Sequence, residues 1–195
     1  MTIDHTIFSE KFARFFSTDS SSAKYTNILA ATWLHTPLGP MLAIASEEAL
    51  YLLEFFDRKN LEQEIELLRQ RTNSNIVVER TTTINMIENE LRHYFNGELK
   101  QFITPLFLLG SSFQKRVWEE LQKIPSGTTC SYSEIAVAIG QPSAARAVAR
   151  ANSTNQCAII IPCHRVINAN DKLGGYAAGL MRKEWLIKHE KNNRI

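Results

Sequence analysis

The chain has 195 residues, 44% of them hydrophobic and 22% charged, with a formal net charge of +2. This is an ordinary globular composition, long enough for one large domain or two small ones. No apolar run approaches the roughly 20 residues needed to cross a bilayer, no secretory signal opens the chain, and three cysteines (Cys130, Cys157, Cys163) do not make a disulfide framework. A cytoplasmic protein with reduced thiols is therefore expected. The charge is uneven. Residues 111–195 carry twelve Lys/Arg against six Asp/Glu, a net +6, and residues 1–110 a net −4. The C-terminal half offers the cationic surface that a polyanion binds.

Residues 1–24 contain the polar run from Ser17 to Ser22 and read as a flexible or accessory extension, in which Phe8, Phe12, Phe15 and Phe16 could share one helical face. Leu42–Ala45 and Leu50–Phe55 are short apolar runs around Ser46-Glu47-Glu48, a hairpin pattern. A helix is predicted from Asn60, as N-cap, to Arg71, with Leu61, Ile65, Leu67 and Leu68 inward. Ile76-Val77-Val78 predicts a strand. Thr83–Asn96 predicts a helix with Ile84, Ile87, Leu91 and Phe95 on one stripe and Gly97 at its end. Pro105–Ser112 reads as a connector. Residues 25–110 thus form an α+β domain and residues 111–195 a mostly helical one.

In the second half, Ser112 is an N-cap candidate before Phe113, Val117 and Leu121, and Pro125-Ser126-Gly127 stops that helix. Ser133 is placed to cap a short helix over Glu134–Ile139. Gly140 makes a tight turn at little steric cost, and Pro142 suits the first turn of a second helix, Ser143–Asn152. This is a helix-turn-helix pattern. The second helix is rich in small residues, with Arg146 and Arg150 one turn apart on one face.

The segment Ile159-Ile160-Ile161-Pro162-Cys163-His164-Arg165-Val166-Ile167 carries the chemistry. The isoleucines predict a buried strand or strand-like edge, and Pro162 ends it and fixes the backbone before the thiol. An adjacent imidazole and cation favour the thiolate, the nucleophilic form of cysteine. Soft sulfur suits attack on an sp3 alkyl carbon. A cysteine-rich zinc spacing is absent, and Cys157 reads as a small buried residue.

Pro162-Cys163-His164-Arg165-Val166 resembles the active-site signature of the O6-alkylguanine-DNA alkyltransferase family. Phe113-Gln114-Lys115-Arg116-Val117-Trp118, Ser131-Tyr132, Ala144-Ala145-Arg146-Ala147-Val148, Gly175-Tyr176 and Lys183-Glu184-Trp185-Leu186 follow the family's order and spacing. The likeness runs from about Phe113 to Glu190 and is looser around Thr36-Pro37-Leu38-Gly39.

The resemblance implies a ribonuclease-H-like N-terminal domain and a C-terminal DNA-binding and alkyl-transfer domain. It implies irreversible, single-turnover transfer from O6-alkylguanine to Cys163, with O4-alkylthymine left open. His164 is then the base, acting through a bound water, and Glu190 orients it. Tyr132 donates to the leaving guanine as charge grows. Arg146 replaces the base flipped out of the duplex. Ser133, Gln141, Ala144 and Ala145 meet the DNA, in the minor groove rather than the major one. Val166, Tyr176, Ala177 and Ala178 line the pocket, and Asn155 ties the active-site turn to the helix-turn-helix. No metal or cofactor is implied, and the protein acts as a monomer away from membranes. Many members have Gly at the positions of Ala149 and Ala178 and Pro at that of Gln156, which bears on the tolerated alkyl size. A non-catalytic lesion sensor or a DNA-binding regulator is the alternative. The sensors lack the acceptor cysteine, and the regulators carry an extra domain for which residues 1–24 are too short.

Overall fold

The computed structural model describes residues 15–17, 25–169 and 172–193. The chain forms two compact units, residues 1–89 with 104–109 and residues 90–103 with 110–195. The sequence boundary near residue 110 separates most of them, but the stretch 90–103 groups with the second unit.

In the first unit, β1 (Phe16–Ser17), β2 (Asn27–Leu34), β3 (Met41–Ala45), β4 (Leu50–Phe55) and β5 (Ser74–Val78) form one sheet in the order β1-β5-β2-β3-β4. The expected hairpin is β3–β4, antiparallel, with β2 antiparallel to β3 and parallel to β5. The strand expected at 76–78 lies inside β5. Helix α1 (Leu61–Thr72) buries Leu61, Ile65 and Leu68 among Leu29, Leu42, Ile44, Leu52 and Ile76. That i, i+4, i+7 spacing is one helical face. Leu67 falls off it and is 48% exposed, against expectation. Asn60 holds the N-cap position in a left-handed conformation (φ 67°) without a side-chain capping bond, so the acidic first turn, Glu62 and Glu64, answers the helix dipole. Residues 15–17 are not part of a loose extension. β1 pairs with β5, and Phe15 joins the core. Phe15 and Phe16 are therefore not helical, and Phe8 and Phe12 lie outside the described residues.

Helix α2 (Thr82–Phe95) carries the expected stripe, with Ile84, Ile87 and Leu91 buried and Phe95 only half-buried at its end, and the unit boundary falls within it. In the second unit follow α3 (Ser112–Leu121), β6 (Cys130–Ser131), α4 (Tyr132–Ala138), α5 (Ala145–Ser153), β7 (Val166–Ile167) and α6 (Leu180–Asn192). Two caps differ from the sequence expectation. Ser111, not Ser112, caps α3, and Ser131, not Ser133, caps α4. Each forms a capping box with the residue three positions on, Gln114 and Glu134, which answers two orphan amides at once. Ser112 and Ser133 lack a partner so spaced. Trp118 on α3 donates from Nε1 to Ala151 O on α5 at 2.9 Å. A Cβ on Gly110 would stand 2.6 Å from the Trp118 ring, so only glycine lets the chain pass there.

Gly140 turns the chain between α4 and α5 at φ 71°. Pro142–Ala144 form a 3-10 turn, so α5 starts at Ala145, two residues later than expected. The short strands β6 and β7 pair in parallel, Cys130 opposite Val166 and Ser131 opposite Ile167. This ladder sets the start of α4, with Tyr132, beside the segment that follows Cys163. Among the described residues no helix is long and apolar enough to cross a membrane.

Candidate active site

The three isoleucines before Pro162 are buried, as expected, but they form a turn instead of a strand. Ile159 has φ 74°, a left-handed conformation that costs a β-branched residue about 1–2 kcal/mol. The amide of Asn155 holds the turn. Its Oδ1 accepts from Cys157 N at 2.9 Å, and its Nδ2 faces Ile161 O at 2.9 Å, Cys163 Sγ at 3.0 Å and Cys157 O at 3.3 Å. Two N–H bonds serve three acceptors, so one is shared. The apolar run signalled burial correctly. The polar tether that selects a turn lies four residues upstream, outside any periodic pattern.

Cys163 opens a 3-10 turn, Cys163–Arg165, with its carbonyl accepting from Asn152 Nδ2 at 3.3 Å. The residue is buried, with 6% of its surface exposed. His164 is fully buried, and its Nε2 lies 2.8 Å from Glu190 Oε1. Nδ1 has no hydrogen-bond partner among the described residues. Burial, aided by Arg165 and Lys183, holds the imidazole below its ordinary pKa of 6.5, against the pull of Glu190. A neutral ring bonded to a carboxylate through Nε2–H keeps its lone pair on Nδ1, which makes Nδ1 the basic atom.

Glu190 is buried on α6. Burial alone would raise its pKa, but His164 and Arg165 hold the carboxyl far below the usual range. Arg165 donates from Nε to Oε2 and from Nη2 to Oε1, both at 2.9 Å, and from Nη1 to Ile124 O at 2.5 Å. Arg165 was expected to act on the thiol directly. Its guanidinium is instead committed to Glu190, so it anchors the carboxylate that holds the histidine.

Tyr132 is half-buried, and burial first and the charge of Cys163 second raise its pKa. The phenol thus keeps its proton, as a donor must. Lys183, fully buried, donates from Nζ to Val166 O at 2.6 Å and to Gly175 O at 3.4 Å. It clamps together the backbone beside two expected pocket walls, Val166 and Tyr176–Ala177. Burial lowers its pKa to about 8, against the pull of the Cys163 sulfur. Ala178 is buried, whereas Ala177 is exposed and Tyr176 half-buried.

Residues 112–192 match the family model for the DNA-binding domain of 6-O-methylguanine DNA methyltransferase. A methylated-DNA–protein-cysteine methyltransferase of Methanosarcina barkeri is 43% identical over 160 residues, 82% of this chain and 96% of the relative. The chain belongs to this methyltransferase family. Its architecture is also that of Mycobacterium tuberculosis O6-methylguanine methyltransferase, with a TM-score of 0.74 at 36% identity over 86% of this chain and 95% of that one. The M. tuberculosis OGT in complex with DNA superposes with a TM-score of 0.71 at 38% identity, covering 85% and 94% of the two chains. The mixed α+β class expected from the sequence agrees with these structures.

Within this methyltransferase, Arg146, Ser133 and Gln141 are exposed and Ala144 and Ala145 half-exposed, all on α4, α5 or the turn between them. No group of three or more His, Cys, Asp or Glu side chains among the described residues could hold a metal ion. Three residues at the site were not singled out as site residues from the sequence. Asn152 bonds the Cys163 carbonyl, Lys183 bonds Val166, and Tyr94 donates to Glu190 Oε1 at 2.8 Å. Lys183 had a signal. It shares the i, i+3, i+7 stripe of α6 with buried Leu186 and Glu190, and a lysine on an apolar stripe calls for a partner. Tyr94 had none, being 96 residues from Glu190.

Proposed function

We propose that the protein repairs O6-alkylguanine in duplex DNA by moving the alkyl group onto its own Cys163. The observation that carries this reading is what surrounds the thiol along its own turn: Asn155 Nδ2 lies 3.0 Å from Sγ, and the next residue, buried His164, is bonded to Glu190 through Nε2 with Nδ1 unpartnered among the described residues. His164 Nδ1 takes the thiol proton, through a bound water as the family resemblance implies. The sulfur attacks the alkyl carbon and an S–C bond forms. The C–O6 bond breaks, and its electron pair moves into the guanine ring. Tyr132 donates to the base as this charge develops, and the proton released from the thiol balances it. A thioether is a poor leaving group, so one protein serves one lesion.

A thiol on a residue as buried as Cys163 cannot reach an atom inside a stacked duplex, so the target base is flipped out, with Arg146 taking its place. The pair α4–α5 acts as a helix-turn-helix, and the small residues Ala144 and Ala145 suit close approach in the minor groove. Affinity then comes mainly from phosphate contacts and falls with salt. The antiparallel β2–β3–β4 run extended by parallel β5 supports the ribonuclease-H-like reading of the first unit. A free thiol as reactant suits a reducing compartment such as the cytoplasm, and the protein works as a monomer. O4-alkylthymine is a candidate second lesion.

The test is mass spectrometry after mixing with an O6-methylguanine duplex. One methyl group is expected on the peptide containing Cys163 and none on Cys163→Ser, which still binds DNA. Tight binding with no mass gain would overturn the transfer reading in favour of a lesion sensor.

A further inference from the structure

Glu190 Oε1 serves more than the histidine. It accepts from His164 Nε2 at 2.8 Å, from Arg165 Nη2 at 2.9 Å and from the hydroxyl of Tyr94 at 2.8 Å. Tyr94 is 1% exposed, so its hydroxyl has no water to turn to. Its ring is packed against Phe95, Phe102 and His189 at centroid distances of 5.3–5.4 Å. Its carbonyl accepts from His189 Nε2 at 2.7 Å. Both ends of the residue are therefore fixed. Burial first, and the charge of Glu190 next, keep the phenol protonated, so it can only donate.

Donors to one carboxylate oxygen compete for the same electron density. Each bond that Oε1 accepts from Tyr94 or Arg165 leaves less negative charge to stabilise a protonated His164. We propose that Tyr94 is a positioning residue for alkyl transfer, which keeps His164 neutral by sharing the charge on Glu190 Oε1. The proposal rests on His164 being the base in the reading above. The charged groups facing the imidazole are Glu190 and Lys183 from α6 and Arg165 from its own turn. Those facing the phenol are Glu190 and Arg165, and the titratable ring of His189 on α6 packs against its ring. Removing the Tyr94 hydroxyl alters one of these relations and leaves the other charges in place.

The experiment compares the wild type with Tyr94→Phe, which keeps the ring. The His164 ring is titrated by NMR without substrate, and the rate of Cys163 alkylation by free O6-benzylguanine is followed against pH. The titration midpoint of His164 should move to higher pH, and the ratio of the rate at pH 6 to that at pH 8.5 should fall by about threefold or more. An unmoved midpoint with an unchanged ratio would overturn the proposal and leave Tyr94 as packing. If Tyr94→Phe does not fold, 3-fluorotyrosine placed at position 94 is a stronger donor in nearly the same volume. It must move the midpoint to lower pH, and a static midpoint refutes the idea. A wild type that takes up no benzyl group would refute the transfer reading instead, and the substrate-free titration then decides the role of Tyr94 alone.

Discussion

Replacing Asn155 with alanine tests the active-site turn most directly. The substitution removes the 2.9 Å bonds to Ile161 O and from Cys157 N, two backbone groups in residues that are fully buried. Losing two such bonds costs about 1 kcal/mol each, and orphaning buried partners adds about 1–3 kcal/mol. Release of the Ile159 strain returns about 1–2 kcal/mol. The net loss is about 1–4 kcal/mol, and its centre near 2.5 kcal/mol is equivalent to roughly 5–10 °C in melting temperature for a chain of this size. Calorimetry reads the global effect, and hydrogen exchange in the 157–165 peptide reads the local one. The same change removes the donor 3.0 Å from Sγ. A hydrogen bond to a charged acceptor contributes about 1.5–3 kcal/mol, so the thiolate population should fall by about ten- to hundredfold. The pH midpoint of Cys163 alkylation by iodoacetamide must then rise. A melting temperature within about 2 °C of wild type, or an unmoved midpoint, would show that Asn155 is neither the tether nor the thiolate donor. Asn155→Asp is the stricter variant, because it sets a negative charge where the donor stood and should suppress transfer further than alanine does.

Cys130 is more exposed than Cys163, but burial, Glu134 and Glu120 push its thiol up to about 11. It should remain unmodified when one equivalent of methyl is taken up, and Cys130→Ser should transfer at the wild-type rate; methyl found on Cys130 by peptide mapping would refute the argument. Stability should decline on acidification. His164 and Glu190 both bind protons less readily folded than unfolded, so the unfolded chain takes up more protons as pH falls below 6.5 for the imidazole, and below 4.5 for the carboxyl, and folding weakens in both windows. Urea midpoints measured from pH 8 to pH 4 check this, and a flat profile would contradict it. Arg146→Ala should slow repair in duplex by about tenfold or more while changing reaction with free O6-benzylguanine less than about twofold, because only the duplex needs a stand-in for the flipped base; equal losses on both substrates would exclude that role.

Short apolar runs located the β3–β4 hairpin, whose strands are buried almost throughout, and helical periodicity located the buried faces of α1 and α2, because each signal is local. The reactive segment was legible for a chemical reason. A thiol followed at once by an imidazole and a guanidinium is hard to account for as core packing, and the structure gives each of the two followers a buried partner on Glu190. The caps lie one or two residues before the serines that the apolar pattern favours, although the sequence distinguishes them. Both stretches offer a choice of serines, and only Ser111 and Ser131 have Gln or Glu three positions on. The isoleucine segment is a turn and not a strand: β-branched residues favour strands, and nothing periodic announces a side-chain amide that satisfies the backbone in their place.

The least legible part of the site is also the most non-local. Glu190 gathers Tyr94 from α2, the Gly127 amide from the loop after α3, and His164 and Arg165 from the turn after Cys163. Local pattern fixes where each element is but not which polar groups meet when the elements pack. A carboxylate that is buried on α6 and holds its charge must collect several donors to offset the loss of water, so a lone buried Glu on an apolar stripe says that such donors exist without naming them. That requirement explains why the cation beside the cysteine is an arginine. Its planar fork reaches both oxygens of Glu190 and still leaves Nη1 for Ile124 O, a division that the three protons on a single lysine nitrogen could not make from the same position.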